Sequence, residues 1–151
     1  YNLKHKENFI TKTKEVFKES NIKAPQKMLE LASGSGRLTS FMIAFLEEKG
    51  FSPIIDALEP SQSLVDGFKS KEFPFIRNVY VTTAEEFDCG EERYDIIYGC
   101  WILENILDYD IPRVLLKLKN CLKDDGYFLL NENVNQVQEM YFLTKLNQKI
   151  R

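Results

Sequence analysis

The sequence predicts an α/β fold, a doubly wound parallel sheet with helices on both faces. Two observations predict it. Five short apolar runs, at 28–31, 53–58, 76–81, 94–98 and 126–130, alternate with segments whose apolar residues recur at helical spacing. The first run leads into a glycine turn, Gly34-Ser35-Gly36, that opens directly into a helix. Right-handed crossovers lay such strands parallel, and ligands then sit beyond their carboxyl ends, near the point where the strand order reverses.

The elements follow in order. Phe9, Ile10, Thr13, Val16 and Phe17 give residues 6–19 an amphipathic helix that ends near Ser20-Asn21, and Pro25 leads into the first strand. Met28, Leu29 and Leu31 make that strand apolar on both sides, as a buried parallel strand must be. Leu38, Phe41, Met42 and Phe45 mark the next helix, which Gly50 stops. A second strand, 53–58, ends at Glu59-Pro60, and Ser61 is placed to cap a helix carrying Leu64, Val65 and Phe68. After the third and fourth strands, Asp110 and Pro112 open a helix with Ile111, Val114, Leu115, Leu118 and Leu122 on one face. Residues 126–130 form the fifth strand, and a last helix is expected over 134–151. The reading is one domain over residues 1–151, an N-terminal helical extension (1–24) on a ligand-binding core (25–151).

Composition narrows the function. With 44% hydrophobic residues the chain buries a real core, and a net charge of -3 provides no global basic field for nucleic acid or membrane surfaces. Seven lysines between Lys4 and Lys27 are interleaved with Glu7, Glu15 and Glu19, the pattern of a solvated helix face. No apolar run approaches the length of a membrane span. Cys89, Cys100 and Cys121 lack metal-ligand spacing and the single His5 does not complete a site with them, so no metal is expected and the thiols are expected reduced, in a cytoplasmic or nuclear protein. The chain opens on Tyr1 instead of Met, which is also what a piece of a longer protein would do.

The glycine turn excludes two familiar phosphate cradles. A dinucleotide fingerprint needs a third glycine where Thr39 stands, and a P-loop needs Gly-Lys-Ser/Thr where Arg37 follows Gly36. Free amides at the helix start still favour an anionic group. Glu59 lies about 20 residues beyond the turn, the separation at which a carboxylate accepts ribose hydroxyls. Arg37, a cation set against the helix dipole, is accounted for by a ligand carboxylate or by a surface salt bridge. Thr83 to Phe87 is either a helix start or a ligand-contacting turn.

With Glu30, small residues, Gly34, one residue and Gly36, this stretch resembles the first motif of the Rossmann-like (class I) S-adenosylmethionine-dependent methyltransferases. The second half is more specific. YDIIYGCWILENILDYD, at 94–110, and CLKDDGYFLLNENV, at 121–134, resemble the protein α-N-terminal methyltransferases, which methylate the free amino terminus of X-Pro-Lys type sequences. The likeness covers roughly residues 27–135 and rests on Trp101 before Ile102, on Arg37, and on the pair Glu132-Asn133.

The resemblance implies S-adenosyl-L-methionine as cofactor, held by Glu30, Ala32, Gly34, Gly36, Arg37, Glu59, Ala84, Glu85 and Cys100. It implies a substrate site of Trp101, Asn105, Glu132 and Asn133, with a protein or peptide N-terminus as substrate, Trp101 walling its first residue and Asn133 holding its backbone. A core position for Trp101 and a capping role for Asn131 and Asn133 are the structural alternatives. Three features depart from the family. Its first motif glycine is Ala32, its histidine near the amine is Asn105, and its terminal antiparallel hairpin is missing, through a shortened chain or one that borrows a partner chain's edge.

The expected reaction is N-methylation by in-line attack of a neutral amine on a sulfonium methyl. Because an α-amine has a pKa near ~8, positioning matters more than a base, and Glu104, Asp108 and Glu132 lie close enough in sequence to take the proton. A small-molecule methyltransferase and a catalytically inactive interaction subunit on the same fold are the competing expectations.

Overall fold

The protein is described by a computed structural model, which defines the backbone of residues 3–134 and 137–143 and the side chains of residues 7–132. In chain order the elements are α1 (Leu3–Glu19), β1 (Lys27–Leu31), α2 (Arg37–Glu48), β2 (Ile54–Leu58), α3 (Gln62–Lys69), β3 (Ile76–Tyr80), β4 (Tyr94–Cys100), α4 (Ile111–Lys119), β5 (Leu122–Val134) and β6 (Val137–Leu143), with a 3-10 turn at Leu103–Asn105. The sheet order is β3-β2-β1-β4-β5-β6, parallel from β3 to β5. Strand order reverses on the two sides of β1, so the crevice lies above β1 and β4.

Alternation along the strands sorts the core into two layers. Leu29, Leu31, Ile97 and Phe128 pack with Val114 and Leu118 of α4 on one face. Met28, Ile96, Tyr98 and Leu129 pack with Phe9, Phe17, Met42 and Phe45 of α1 and α2 on the other. Both faces being covered explains why these strands read as unbroken apolar runs. At roughly 1.5–3 kcal/mol per buried large side chain, the two layers supply the drive that holds the strand ends in register. Helix α1 joins this core directly, with Phe17 meeting Phe45 edge to face at 5.1 Å.

Local signals act as expected at α2. Gly36, at φ 90°, turns the chain into the helix, and Gly50, at φ 72°, ends it. The amide of Phe51 then returns to the Leu46 carbonyl at 2.8 Å and that of Gly50 to Glu47 at 3.0 Å, closing off carbonyls the helix leaves open.

The structure corrects the sequence reading at the C-terminal side. The helix expected over 134–151 is not there in its described part: β6 runs antiparallel to β5, with Phe128 opposite Leu143 and Val134 opposite Val137. One antiparallel strand therefore stands at the edge expected to lack its hairpin, while 144–151 lie outside the described residues. The run from Val137 to Leu143 is mostly apolar but does not alternate strictly, so the segment did not declare itself as strand. Helix α4 stops at Lys119, and Leu122, expected on its face, begins β5. Between Leu122 and Tyr127 the strand is interrupted against β4, and Gly126 is tight there, since a β-carbon on it would lie 3.0 Å from the Lys123 carbonyl.

Cys89 and Cys121 are joined as a disulfide, Cα to Cα 6.0 Å, which corrects the expectation of reduced thiols for these two. They stand 32 residues apart in sequence, and only the return of β5 beside β4 brings them together.

Candidate active site

The site begins at the end of β1. Three residues of the turn take the left-handed backbone region, Ala32 at φ 48°, Gly34 at 56° and Gly36 at 90°. Two glycines do so at little cost, whereas Ala32 carries a strain that glycine would not. The glycines differ in purpose. A β-carbon on Gly34 would meet nothing within 4 Å, while one on Gly36 would run into the Phe73 ring and lie 3.1 Å from Phe68. Gly34 thus keeps the backbone open to a ligand, and Gly36 lets the turn pack against aromatic rings.

Glu59, at the end of β2, ties this turn to the next. Its Oε2 accepts the Gly34 amide at 2.9 Å and its Oε1 accepts the Ser61 amide at 2.9 Å. A carboxylate has about four lone-pair directions, so each oxygen keeps capacity for a further donor.

A cavity of about 390 Å³ opens beside this carboxylate. It is walled by four successive strand ends: Ala32 after β1, Glu59 and Pro60 after β2, Thr82, Thr83, Ala84 and Glu85 after β3, and Ile102, Asn105 and Ile106 after β4. The size suits a small-molecule or cofactor site. The β3 wall is a turn, not a helix start; Thr83 Oγ1 accepts the Glu86 amide at 3.2 Å, and the Lys117 ammonium donates to the Glu85 carbonyl at 2.7 Å.

The β4 wall is set by Glu132. Its Oε1 accepts the Ile102 amide at 2.8 Å and its Oε2 the Leu103 amide at 3.2 Å, while the Trp101 amide donates to the Asn131 carbonyl at 2.8 Å. Trp101 is held at φ 54°, a strained position for a bulky residue. The Asn105 amide nitrogen donates to the Trp101 carbonyl at 2.9 Å. Burial pushes the Glu132 carboxyl up, against the two backbone donors, and nearby Glu104 adds to the rise.

The structure gathers Ala32, Glu59, Ala84 and Glu85, expected to hold the cofactor, around one cavity together with Asn105, expected on the substrate side. Other candidates stand elsewhere. Glu30 is fully buried beneath the turn, accepting Thr39 Oγ1 at 2.7 Å and Tyr98 hydroxyl at 2.8 Å through the same oxygen. Burial raises its carboxyl to about 7, and the same contact pushes the already buried Tyr98 phenol up. Arg37 is exposed at the first position of α2, and Cys100 is half-buried at the end of β4. Glu132 acts on the backbone of the β4 wall. The backbone of Asn133 pairs with Gln138, but its side chain lies outside the described residues.

Pro60, Thr82, Ile102 and Ile106 line the cavity without having been assigned a site role, and Thr83 joins them from the turn the sequence left open as helix start or ligand contact. The signal for the threonines was their place at once after an apolar run; Ile106 had none, since only the 3-10 turn brings it inward.

The cradle fits a nucleoside-type cofactor. Glu59 retains acceptor capacity toward the cavity, Gly34 leaves space above the backbone, and the buried Ser33 Oγ has no hydrogen-bond partner among the described residues. No cluster of metal-ligating side chains occurs among the described residues.

Comparison with known proteins gives the same direction. The chain is similar to the alpha N-terminal protein methyltransferase 1 of Arabidopsis thaliana, 27% identical over 124 residues that cover 76% of this chain and 43% of the relative. It is 30% identical over 110 residues to the protein of that name in Oryza sativa subsp. indica, covering 70% of this chain and 36% of the relative. To the N-terminal Xaa-Pro-Lys N-methyltransferase 1 of Bos taurus it is 22% identical, covering 72% and 48%. The chain thus spans less than half the length of these curated relatives. Among solved structures, the plantazolicin methyltransferase BpumL with a pentazolic desmethylPZN analogue and SAH superposes with a TM-score of 0.68 at 13% identity, over 83% of this chain and 46% of that one. A SAM-dependent methyltransferase of Leishmania major gives 0.66 at 19%, over 82% and 50%. At such identity these two show the fold, a Rossmann-like methyltransferase sheet. The family model described as AdoMet-dependent proline di-methyltransferase matches residues 1–148, and the chain belongs to that family.

Proposed function

We propose that this domain binds S-adenosylmethionine in the cavity above β1 and β4 and transfers its methyl to the free α-amine of protein N-termini of the X-Pro-Lys kind. The observation that carries the reading is Glu59, a carboxylate fixed by two backbone amides at the mouth of a cofactor-sized cavity. The names of the plant and Bos taurus relatives supply the substrate class.

The bound cofactor supplies an electrophilic methyl; the chain supplies position. Glu59 would offer its remaining lone pairs to the cofactor's hydroxyls, Ala84 and Glu85 would hold its base, and the Gly34-Gly36 turn with Arg37 would take its charged amino-acid end. Trp101, Asn105, Glu132 and Asn133 form the acceptor side. An α-amine with a pKa near ~8 is partly neutral at physiological pH, and alignment alone contributes roughly 7–11 kcal/mol in favourable cases. Asn105 cannot act as a base, and Glu132 already accepts two amides, so we assign both to holding the Trp101 turn. Glu104 and Asp108, exposed in the turn after β4, draw in a cationic N-terminus and take its proton directly or through water. A cytoplasmic or nuclear location and a partner chain along the outer edge of β6 belong to the same proposal.

A second reading has one observation in its favour. Asn105 and Glu132 are both committed to backbone groups, as suits an inactive methyltransferase-like subunit.

Calorimetry with S-adenosylhomocysteine tests the cofactor site. Loss of one charge-assisted interaction in Glu59→Ala is expected to weaken binding by roughly 10–100-fold. Absence of binding by a folded wild-type protein overturns the reading. Binding without methyl transfer to free X-Pro-Lys peptides, or transfer to a small amine instead, favours the subunit or the small-molecule enzyme respectively.

A further inference from the structure

We infer that the Cys89–Cys121 pair is a thiol–disulfide exchange site that sets the rigidity of the β3 wall of the cavity. The inference rests on the proposed cofactor site only for its effect on ligand affinity; the exchange chemistry stands on its own geometry.

The two sulfurs are unequally placed. Cys121 is buried at the junction of α4 and β5, while Cys89 is half-buried in the segment between β3 and β4. The Arg93 guanidinium lies 3.9 Å from Cys89 Sγ, held there by the carbonyls of Gly90 and Glu92, each at 2.7 Å. Two neighbouring carboxylates have other partners. Asp88 accepts the Gly90 amide, and Glu92 pairs with Lys27 and Arg77. A cation beside a reachable sulfur favours the thiolate, the form that attacks a disulfide.

Oxidation then balances as follows. The Cys89 thiolate attacks a low-molecular-weight disulfide and expels one thiolate, leaving a mixed disulfide at Cys89. The Cys121 thiolate displaces the second small thiol and closes the protein disulfide, so that one small disulfide becomes two thiols and two protein thiols become a disulfide. Reduction is the reverse, with attack at the accessible Cys89 sulfur.

The bond matters because of what lies between it and β3. Thr82 to Glu85 wall the cavity, and Phe87, buried against Tyr80 at 5.6 Å between ring centroids, follows at once. The segment is secured at one end by β3 and at the other by the disulfide to the α4–β5 junction. After reduction the segment keeps the packing of Ala84 and Phe87 on the core shared with α4 and the Lys117–Glu85 hydrogen bond, but loses its covalent tie. In a reducing compartment a disulfide of this kind is a regulatory bond rather than a structural one.

The test uses wild-type protein equilibrated across glutathione redox buffers, quenched by alkylation and weighed by mass spectrometry. Cys89 and Cys121 are expected to become protected together, with Cys100 alkylated throughout. Arg93→Gln is expected to move the midpoint to more reducing conditions, because the reduced thiolate loses its cation, and Arg93→Lys to restore it. Hydrogen exchange over 82–88 is expected to be about tenfold faster in the reduced protein, and Cys89→Ser to match the reduced state at every potential. Independent alkylation of the two cysteines, a bond that resists the most reducing buffer, or identical exchange in both states overturns the inference. These readouts need no cofactor. S-adenosylhomocysteine affinity, expected to be several-fold weaker after reduction, is measured last, so that failure of the cofactor site alone remains distinguishable.

Discussion

The carboxylate of Glu132 accepts the amide of Ile102 at 2.8 Å, joining the end of β5 to the first residue past the Trp101 kink. A carboxylate in the acid-asparagine pair thus shapes the neighbouring wall through its backbone amides. Its two oxygens satisfy two consecutive amides, those of the buried Ile102 and the half-buried Leu103, that the chain leaves unpaired when Trp101 turns left-handed.

Glu132→Gln is therefore expected to destabilise the fold by about 1–3 kcal/mol, because its amide group presents a donor where a second acceptor is needed. Trp101 is the single tryptophan, so its emission reports the turn directly. The expected result is a lower unfolding midpoint together with a shifted emission maximum in the folded protein. An unchanged spectrum and midpoint would show that the clamp does not hold the turn.

The turn after β1 separates two glycine roles. Gly36→Ala meets the rings of Phe73 and Phe68 as well as an unfavourable φ, and the expected loss is about 3 kcal/mol or more. Gly34→Ala meets open space, so the loss is limited to the backbone term of about 1–2 kcal/mol, but its methyl enters the ligand cradle. Thermal unfolding ranks the first as the more damaging, and S-adenosylhomocysteine titration ranks the second. The reverse ranking would overturn this division of roles.

Ala32→Gly acts in the opposite sense. At φ 48° the alanine is strained, and glycine is expected to stabilise the protein by up to about 1 kcal/mol, after its greater unfolded-state freedom is subtracted. Thermal unfolding measures it; a clear loss of stability would mean that the Ala32 methyl contributes packing that outweighs its backbone strain.

The parts of this fold legible in the sequence were those governed by local rules. Apolar runs such as 28–31 and 94–98 announced buried strands because both sheet faces are covered, and Gly36 and Gly50 announced the limits of α2. Glu59 was legible through its spacing from the glycine turn. What the sequence concealed depends on contacts between distant residues. Cys89 meets Cys121 only through the β4–β5 pairing, Glu132 reads as a free acid until the Ile102 amide is placed against it, and Glu30 reads as a ligand-facing residue until Tyr98 is seen to share its oxygen. The 137–143 strand is mostly apolar but lacks strict alternation, so pairing with β5, not patterning, defines it.

Burial of Glu30 predicts how stability varies with pH. Desolvation outweighs the hydrogen bonds from Thr39 and Tyr98 and lifts its pKa from 4.5 to about 7. An acid whose folded pKa is raised holds its proton more tightly in the native state, so this group favours folding below pH 4.5 and loses that contribution as pH rises toward 7. The shift corresponds to roughly 3 kcal/mol. Asp56 opposes it at lower pH: although burial works against ionisation, Arg77, Tyr94 and Asn78 hold its carboxyl below 3.8, so its contribution disappears as the solution is acidified through that lower range. Glu30→Gln keeps a neutral acceptor for the Tyr98 and Thr39 hydroxyls and removes the titration. Denaturant unfolding from pH 4.5 to 7.5 is expected to give a flatter stability profile for the variant, with its advantage over wild type growing toward pH 7. Parallel profiles for the two proteins would show that the buried carboxyl does not titrate in this range.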